Sequence, residues 1–280
     1  MSERDRFRKR PGPKERPKDG RKDFRGRKPG GPRNFGRPQR APSDVTLLYG
    51  WHSVTLALTN PKRKIRKLLV TENALRRLSE DGIEPRIKPE IVRPDQIASQ
   101  LPPDAVHQGL LAEADPLPAP DIDTLDPVGI VLVLDQITDP HNVGAILRSA
   151  AAFGVKAIVT TARHSPEVTG VLAKSASGAL EFVPFVTVQN LARALSELKD
   201  RGFMTVGLDS EGAENLSAVD MKEPLALVLG AEGKGLRQLT RETCHVVARL
   251  DMPGEIKSLN VSNAAVLALY IGASKLGLVK

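Results

Sequence analysis

The sequence predicts an α/β protein built on a mostly parallel sheet, preceded by a smaller α/β unit and a disordered basic tail. Three observations carry this expectation. From about residue 127 to the C-terminus, apolar strand-like runs alternate with segments of helical period. The run Ile130–Leu134 is apolar at every position, the pattern of a strand covered on both faces. The first 43 residues hold 16 Lys and Arg against 5 Asp and Glu, with 13 Gly and Pro and no Leu, Ile or Val. Such a segment cannot bury enough apolar surface to offset the entropy of ordering it.

The elements follow in order. In the small unit, 45–115, LLYG (47–50) reads as a strand, 52–59 as a helix and 65–71 as a strand. Residues 72–80 have helical spacing and stop at Asp81-Gly82, Val92–Leu101 suggests another short helix, and 107–114 closes as a strand. Residues 116–126, rich in Pro and Asp, read as a semi-extended acidic linker. In the large unit, 127–280, the predicted strands are Ile130–Leu134, Ala157–Thr160, Val183–Val188, Phe203–Leu208, Leu225–Leu229 and Val246–Leu250. The predicted helices are Val143–Phe153, Val168–Ser177, Leu191–Lys199, Leu236–Cys244 and Val261–Leu276, each of the first three followed closely by a glycine.

Composition bounds the function. The chain of 280 residues carries a formal charge of +8, and the tail supplies all of that basic excess. Phe7, Phe24 and Phe35 are interleaved among its arginines. The tail is then either a flexible RNA-binding arm, with DNA also open, or a solubilising extension. No apolar run reaches the ~18 residues of a membrane span, and the N-terminus lacks a secretory apolar core. One cysteine, Cys244, excludes an internal disulfide framework and fits a reducing cytoplasm. It reads as a packing residue rather than a nucleophile. The five histidines show no metal-ligand spacing, and no metal is expected. Lys62, Arg63, Lys64, Arg66, Lys67, Arg76 and Arg77 form either a phosphate-contacting cluster or a solvated basic face.

In parallel α/β sheets, ligands bind beyond the carboxyl ends of the strands. Three polar loops follow strong strands: 135–148, 230–236 and 251–260. Pro253 and Gly254 suggest a backbone that approaches a ligand closely, and Ser258 and Asn260 place polar groups at a helix N-terminus. GAEGKG (230–235) is not a Walker loop, because its spacing is short and Leu236 takes the hydroxyl position. Taken singly, Asn142 reads as a helix N-cap and Arg148 as an ion-pair partner. Together the loops indicate a small-molecule site.

Asp139-Pro140-His141-Asn142-Val143-Gly144-Ala145 with Arg148 resembles the first motif of the SpoU-type (TrmH-like) RNA ribose 2′-O-methyltransferases of the SPOUT class. Leu229–Gly235 resembles the second, and Met252-Pro253-Gly254 through Ser258–Ser262 the third. Residues 47–114, with Tyr49-Gly50 and Val106-His107-Gln108-Gly109, resemble the L30e-like substrate-binding domain found in front of many members. Among the branches, the chain is most similar to the 23S ribosomal RNA guanosine-2′-O-methyltransferases.

The resemblance implies a C-terminal trefoil knot, rare among folds. It also implies S-adenosylmethionine held by Gly230, Leu250 and Leu259, a homodimer with the last helix as a contact face, and an RNA substrate. Asn142, Arg148, Glu232, Ser258 and Asn260 are the implied catalytic residues. Arg148 is the family's proton acceptor, although a guanidinium normally stays protonated. His141 is a local rival, and water or a phosphate could take the proton if Arg148 stabilises an alkoxide instead. A transfer-RNA methyltransferase and a non-catalytic assembly factor on the same scaffold are the alternatives.

Overall fold

The computed structural model describes residues 45–163, 166 and 170–279. The basic tail expected at 1–44 lies outside the described residues, as do Val168 and Thr169 at the start of one predicted helix. The described residues belong to one compact unit with two sheets.

The front sheet has the order β1-β4-β2-β3, with β1 (Thr46–Tyr49), β2 (Ile65–Val70), β3 (Glu90–Ile91) and β4 (Leu110–Ala114). Strand β4 pairs antiparallel with β1 and β2. Helices α1 (Trp51–Thr59), α2 (Glu72–Glu80) and α3 (Pro94–Ala98) complete this part. Helix α2 starts where expected because the Thr71 side chain accepts from the Ala74 amide. Helix α3 is shorter than the sequence suggests, since Pro94 sets its first turn.

The larger sheet has seven strands, all in parallel pairs, in the order β7-β6-β5-β10-β8-β11-β9. They are β5 (Ile130–Asp135), β6 (Ala157–Thr161), β7 (Phe185–Val188), β8 (Met204–Leu208), β9 (Glu214–Asn215), β10 (Leu225–Gly230) and β11 (Val246–Arg249). The connecting helices are α4 (Pro140–Ala152), α5 (Gly170–Ser175), α6 (Leu191–Asp200), α7 (Gln238–Thr243) and α8 (Val261–Lys275). The uninterrupted apolar run of β5 has its cause in two cores. Ile130, Leu132 and Leu134 enter one with α4 and α8, while Val131 and Val133 enter another with α6. The strands missing from the sequence reading, β3 and β9, have two residues each, too short to show a period.

Helix α4 begins three residues earlier than its apolar pattern suggests. Asp139, not Asn142, is the N-cap: its carboxylate accepts from the His141 amide at 2.9 Å, and Pro140 takes the first helical position. The motif glycine of this helix serves packing. A Cβ on Gly144 would lie 2.4 Å from Ser175 Cβ and 2.9 Å from the Leu172 carbonyl oxygen, so α4 and α5 cross at near-backbone contact.

The front unit is seated on α5 and on the 3₁₀ turn Ala179–Glu181. Ser53 Oγ donates to the Ala173 carbonyl at 3.0 Å. A Cβ on Gly170 would meet the Tyr49 ring at 2.8 Å. The deepest contact is ionic. Arg63 Nη2 lies 2.7 Å from Glu181 Oε1, and both side chains are 3% exposed. Asn60 Nδ2 also donates to Glu181, and Arg63 Nη1 donates to the Asp115 carbonyl. Arg63 is therefore structural, whereas several of its neighbours form solvent-exposed pairs: Lys64 and Arg66 with Asp115, Lys67 with Glu90 and Arg76 with Glu80. The acidic segment 116–126 is not extended throughout. It contains a 3₁₀ turn at Ile122–Thr124 and buries Leu125, whose carbonyl accepts from Arg201.

Removing one member of a buried ion pair strands the other charge in low dielectric. We therefore expect Arg63→Ala to lower unfolding free energy by about 3–5 kcal/mol, and Arg63→Met with Glu181→Leu to lose markedly less. Urea unfolding of the three proteins measures this. An equal loss in the single and double variants would contradict it.

Candidate active site

The switch in strand order falls between β5 and β10. Chain leaving β5 moves outward to β6 and β7, whereas β10 lies between β5 and β8. Their last residues, Asp135 and Gly230, are register partners. Two adjoining clefts open there, the expected position for a ligand in such a sheet. The larger, about 1050 Å³, is lined by the ends of β8, β10 and β11 and by residues from 257 to 264. The smaller, about 490 Å³, lies between residues 136–142 and the loop after β10. Ala231, Glu232, Lys234 and Val261 line both.

The loop after β10 is a tight turn. Ala231 and Gly235 form an antiparallel bridge, and Gly233 and Gly235 have positive φ of 74° and 64°. A Cβ on Gly230 would lie 2.2 Å from the backbone carbon of Gly235, so no other residue fits without moving the turn. Two carboxylates hold it from below. Asp135, with its side chain fully buried, accepts from the Arg237 amide at 3.0 Å and from Arg237 Nε at 2.6 Å. Asp209, 2% exposed at its side chain, accepts from the Leu236 amide at 3.0 Å and pairs with Arg241 Nη2 at 2.7 Å.

The third loop joins the first through amides. Asn260 caps α8, its Oδ1 accepting from the Ser262 amide at 2.9 Å. Its Nδ2 donates to Asn142 Oδ1 at 3.0 Å. Asn142 lines the smaller cleft from the first turn of α4. Gly230, Glu232, Leu250, Ser258 and Leu259 all line the larger cleft. Pro253 and Gly254 do not line it, and the space beside Gly254 is open, so the close backbone approach belongs to Gly230.

Arg148 stands apart. It is exposed on α4, lines neither cleft, and has no ion pair among the described residues, contrary to its reading as an ion-pair partner. His141, seven residues earlier on the same helix face, is also off the clefts and approaches Ser175 Oγ at 3.3 Å. Burial pushes the Cys244 thiol up to about 12, with Lys199 opposing and Asp135 adding to the shift, so the thiol is inert near neutrality.

The larger cleft fits a compact amphiphilic cofactor. Its volume suits a small-molecule site. Leu208, Leu229, Leu250 and Leu259 supply apolar wall, and the glycines expose main-chain donors and acceptors at its rim.

Comparisons agree on one family. Residues 129–270 match the SpoU rRNA methylase family, and residues 47–120 match the RNA 2′-O ribose methyltransferase substrate-binding family. The chain belongs to the SpoU rRNA methylase family. It is 39% identical over 236 residues to a 23S rRNA (guanosine-2′-O-)-methyltransferase of Ralstonia nicotianae, covering 81% of this chain and 95% of that one. It is 36% identical over 222 residues to a putative TrmH family tRNA/rRNA methyltransferase of Bacillus subtilis, covering 74% and 87%. Among solved structures, the SpoU methyltransferase AviRb of Streptomyces viridochromogenes, in complex with AdoMet, superposes with a TM-score of 0.70. It shares 25% identity and covers 83% of this chain and 90% of that one. The three motifs thus identified the family correctly, and the mostly parallel α/β sheet is its fold.

In this SpoU methylase, sequence reading missed the residues that shape the second loop: Asp135, Asp209, Arg237 and Arg241. A signal was present. IVLVLD (130–135) and MTVGLD (204–209) each end an apolar strand on an acid. Burial alone would raise the Asp209 carboxyl. Hydrogen bonds from the Glu211 and Leu236 amides and from Arg241, with that guanidinium's charge, outweigh burial and hold it below the ordinary carboxylate range. A depressed folded-state pKa gives stability that is present above the unfolded value and lost as pH falls through the folded one. We therefore expect the second loop to loosen below pH 3.8, the unperturbed value, and Asp209→Asn to remove part of that acid dependence. Thermal unfolding between pH 3 and 7 tests this, and identical pH profiles for the two proteins would refute it.

Proposed function

We propose that this chain transfers a methyl group from S-adenosylmethionine to a ribose 2′-oxygen of RNA, with a guanosine of 23S ribosomal RNA as target. The observation that carries this is the pair of clefts meeting at Glu232, with Asn142 and Asn260 hydrogen-bonded across the seam at 3.0 Å. The larger cleft would hold the cofactor and the smaller the acceptor ribose. The relatives named for 23S rRNA guanosine methylation, similar over most of their length, support the choice of substrate.

The cofactor, when bound, presents an electrophilic methyl group on a positively charged sulfur. Gly230, Leu250 and Leu259 hold it through main chain and apolar contact. Glu232, Ser258, Asn142 and Asn260 orient the ribose for in-line attack, and such orientation removes roughly 7–11 kcal/mol of barrier. Arg148 keeps its proton and stabilises the negative charge that develops on the ribose oxygen, while water or a phosphate takes the hydroxyl proton. Because Arg148 lies outside both clefts, it reaches them in a homodimer, as Arg148 of the partner subunit. Val266, Leu267 and Tyr270, which α8 exposes by 40%, 38% and 54%, form the apolar part of that interface. Residues 45–115 then serve as the RNA-binding domain, 116–126 as the linker and 127–280 as the catalytic domain. The loops after β10 and β11 form the trefoil knot. The enzyme works in the cytoplasm, where ribosomal RNA is assembled.

Unmodified 23S ribosomal RNA incubated with the protein and labelled cofactor should gain one methyl on a guanosine ribose. Label found on transfer RNA instead would overturn the substrate. Arg148→Ala should lose about 100-fold or more in turnover while binding the cofactor normally. If Arg148 acts across the dimer, mixing Arg148→Ala with Asn260→Ala should recover activity through mixed dimers that keep one intact site. No recovery would place Arg148 in its own subunit's site.

A further inference from the structure

A cavity of about 600 Å³ opens in the front unit and shares no lining residue with the two reaction clefts. Its wall includes Trp51, Arg77, Val106 and His107. The guanidinium of Arg77 lies over the Trp51 indole, 3.8 Å from the ring centroid. Several other basic residues of this region are paired: Arg63 with Glu181, Arg66 with Asp115 and Arg76 with Glu80. Arg77 is exposed and, among the described residues, its guanidinium makes no hydrogen bond or ion pair. It is a planar cation held by the indole on one face, with its other face and its N–H fork unused.

The opposite wall is specialised too. Gln108 has a φ of 53°, a conformation uncommon outside glycine, followed by Gly109 at 80°. Gln108 Oε1 accepts from the Trp51 amide at 2.9 Å, which ties this turn to the stack. The Gly109 amide donates to His107 Nδ1 at 3.0 Å, so the neutral ring carries its proton on Nε2 as a free donor. Burial pushes the His107 imidazole down, favouring that neutral form. Beside it Val106 is 63% exposed, an apolar side chain left open to solvent at the rim.

We propose that this cavity takes one unpaired nucleotide of the RNA. Its base stacks on the free face of Arg77 against Val106, its edge accepts a hydrogen bond from His107, and its phosphate meets the guanidinium fork. A flat cation layered on an indole matches a base face, and the adjacent apolar and donor groups match a base edge. A free phosphate would require only the charge. The inference rests on the RNA methyltransferase reading and adds a second anchoring point outside the reaction clefts.

Trp51 is the only tryptophan of the chain, so its emission reports on this cavity alone. The full-length protein is titrated with unmodified 23S ribosomal RNA, and methyl transfer is measured in parallel. Saturable quenching of Trp51 is expected, with no response to inorganic phosphate. Arg77→Ala and His107→Ala should raise KM for RNA about tenfold, equivalent to about 1.4 kcal/mol, with kcat little changed. Arg77→Lys keeps the charge and loses the plane, and it should fail to rescue. Full rescue by lysine, an unresponsive Trp51, or an unchanged KM in both alanine variants would overturn the proposal. Quenching by RNA without methyl transfer would refute the activity and leave the nucleotide site standing.

Discussion

The turn after β10 depends on two carboxylates buried at the ends of β5 and β8, the strands that flank β10. Asp135 and Asp209 are out of water, and each would be expensive there alone. They are tolerated because backbone amides of Leu236 and Arg237 and the guanidinium groups of Arg237 and Arg241 satisfy them. The same bonds fix where the chain goes after Gly235. Without that anchoring the glycine-rich segment 230–235 would have many conformations, because Gly233 and Gly235 lack the side chains that restrict them. A rigid pair of acids thus turns a permissive sequence into a shaped wall shared by two clefts.

Asymmetry between the two clefts gives them different chemistry. Leucines at the ends of β8, β10 and β11 make the larger one amphiphilic, while the smaller is lined largely by polar groups from the first motif and the second loop. The amide contact between Asn142 and Asn260 couples them, since it ties the first turn of α4 to the cap of α8. Both helices pack on one face of the sheet, so the contact is set by the core beneath it. The front unit is anchored on the larger one by the buried pair Arg63 and Glu181.

Much of the fold was legible. Ile130–Leu134 declared a strand covered on both sides, and the 3.6-residue pattern after Asn190 declared α6. The sites of disagreement have physical causes. Helix α4 starts at Pro140 because Asp139 caps it, and a polar first turn carries no apolar period. Arg63 looked like one of several surface cations because sequence cannot show that Glu181, 118 residues away, shares its pocket. The close backbone approach expected at Gly254 falls at Gly230 instead, because close approach depends on what the folded chain puts opposite.

By itself the sequence determined the α/β class, the order of most elements and the three motif loops, because periodicity and punctuation are local properties of the chain. It also determined the family, through three motifs that occur in order along the chain. Only the tertiary structure decided that Asp135 and Asp209 shape the second loop, that Gly144 serves helix crossing, and that Arg148 stands outside the clefts. Each of these depends on residues far apart in sequence meeting at van der Waals or hydrogen-bond distance. No one-dimensional pattern contains that pairing.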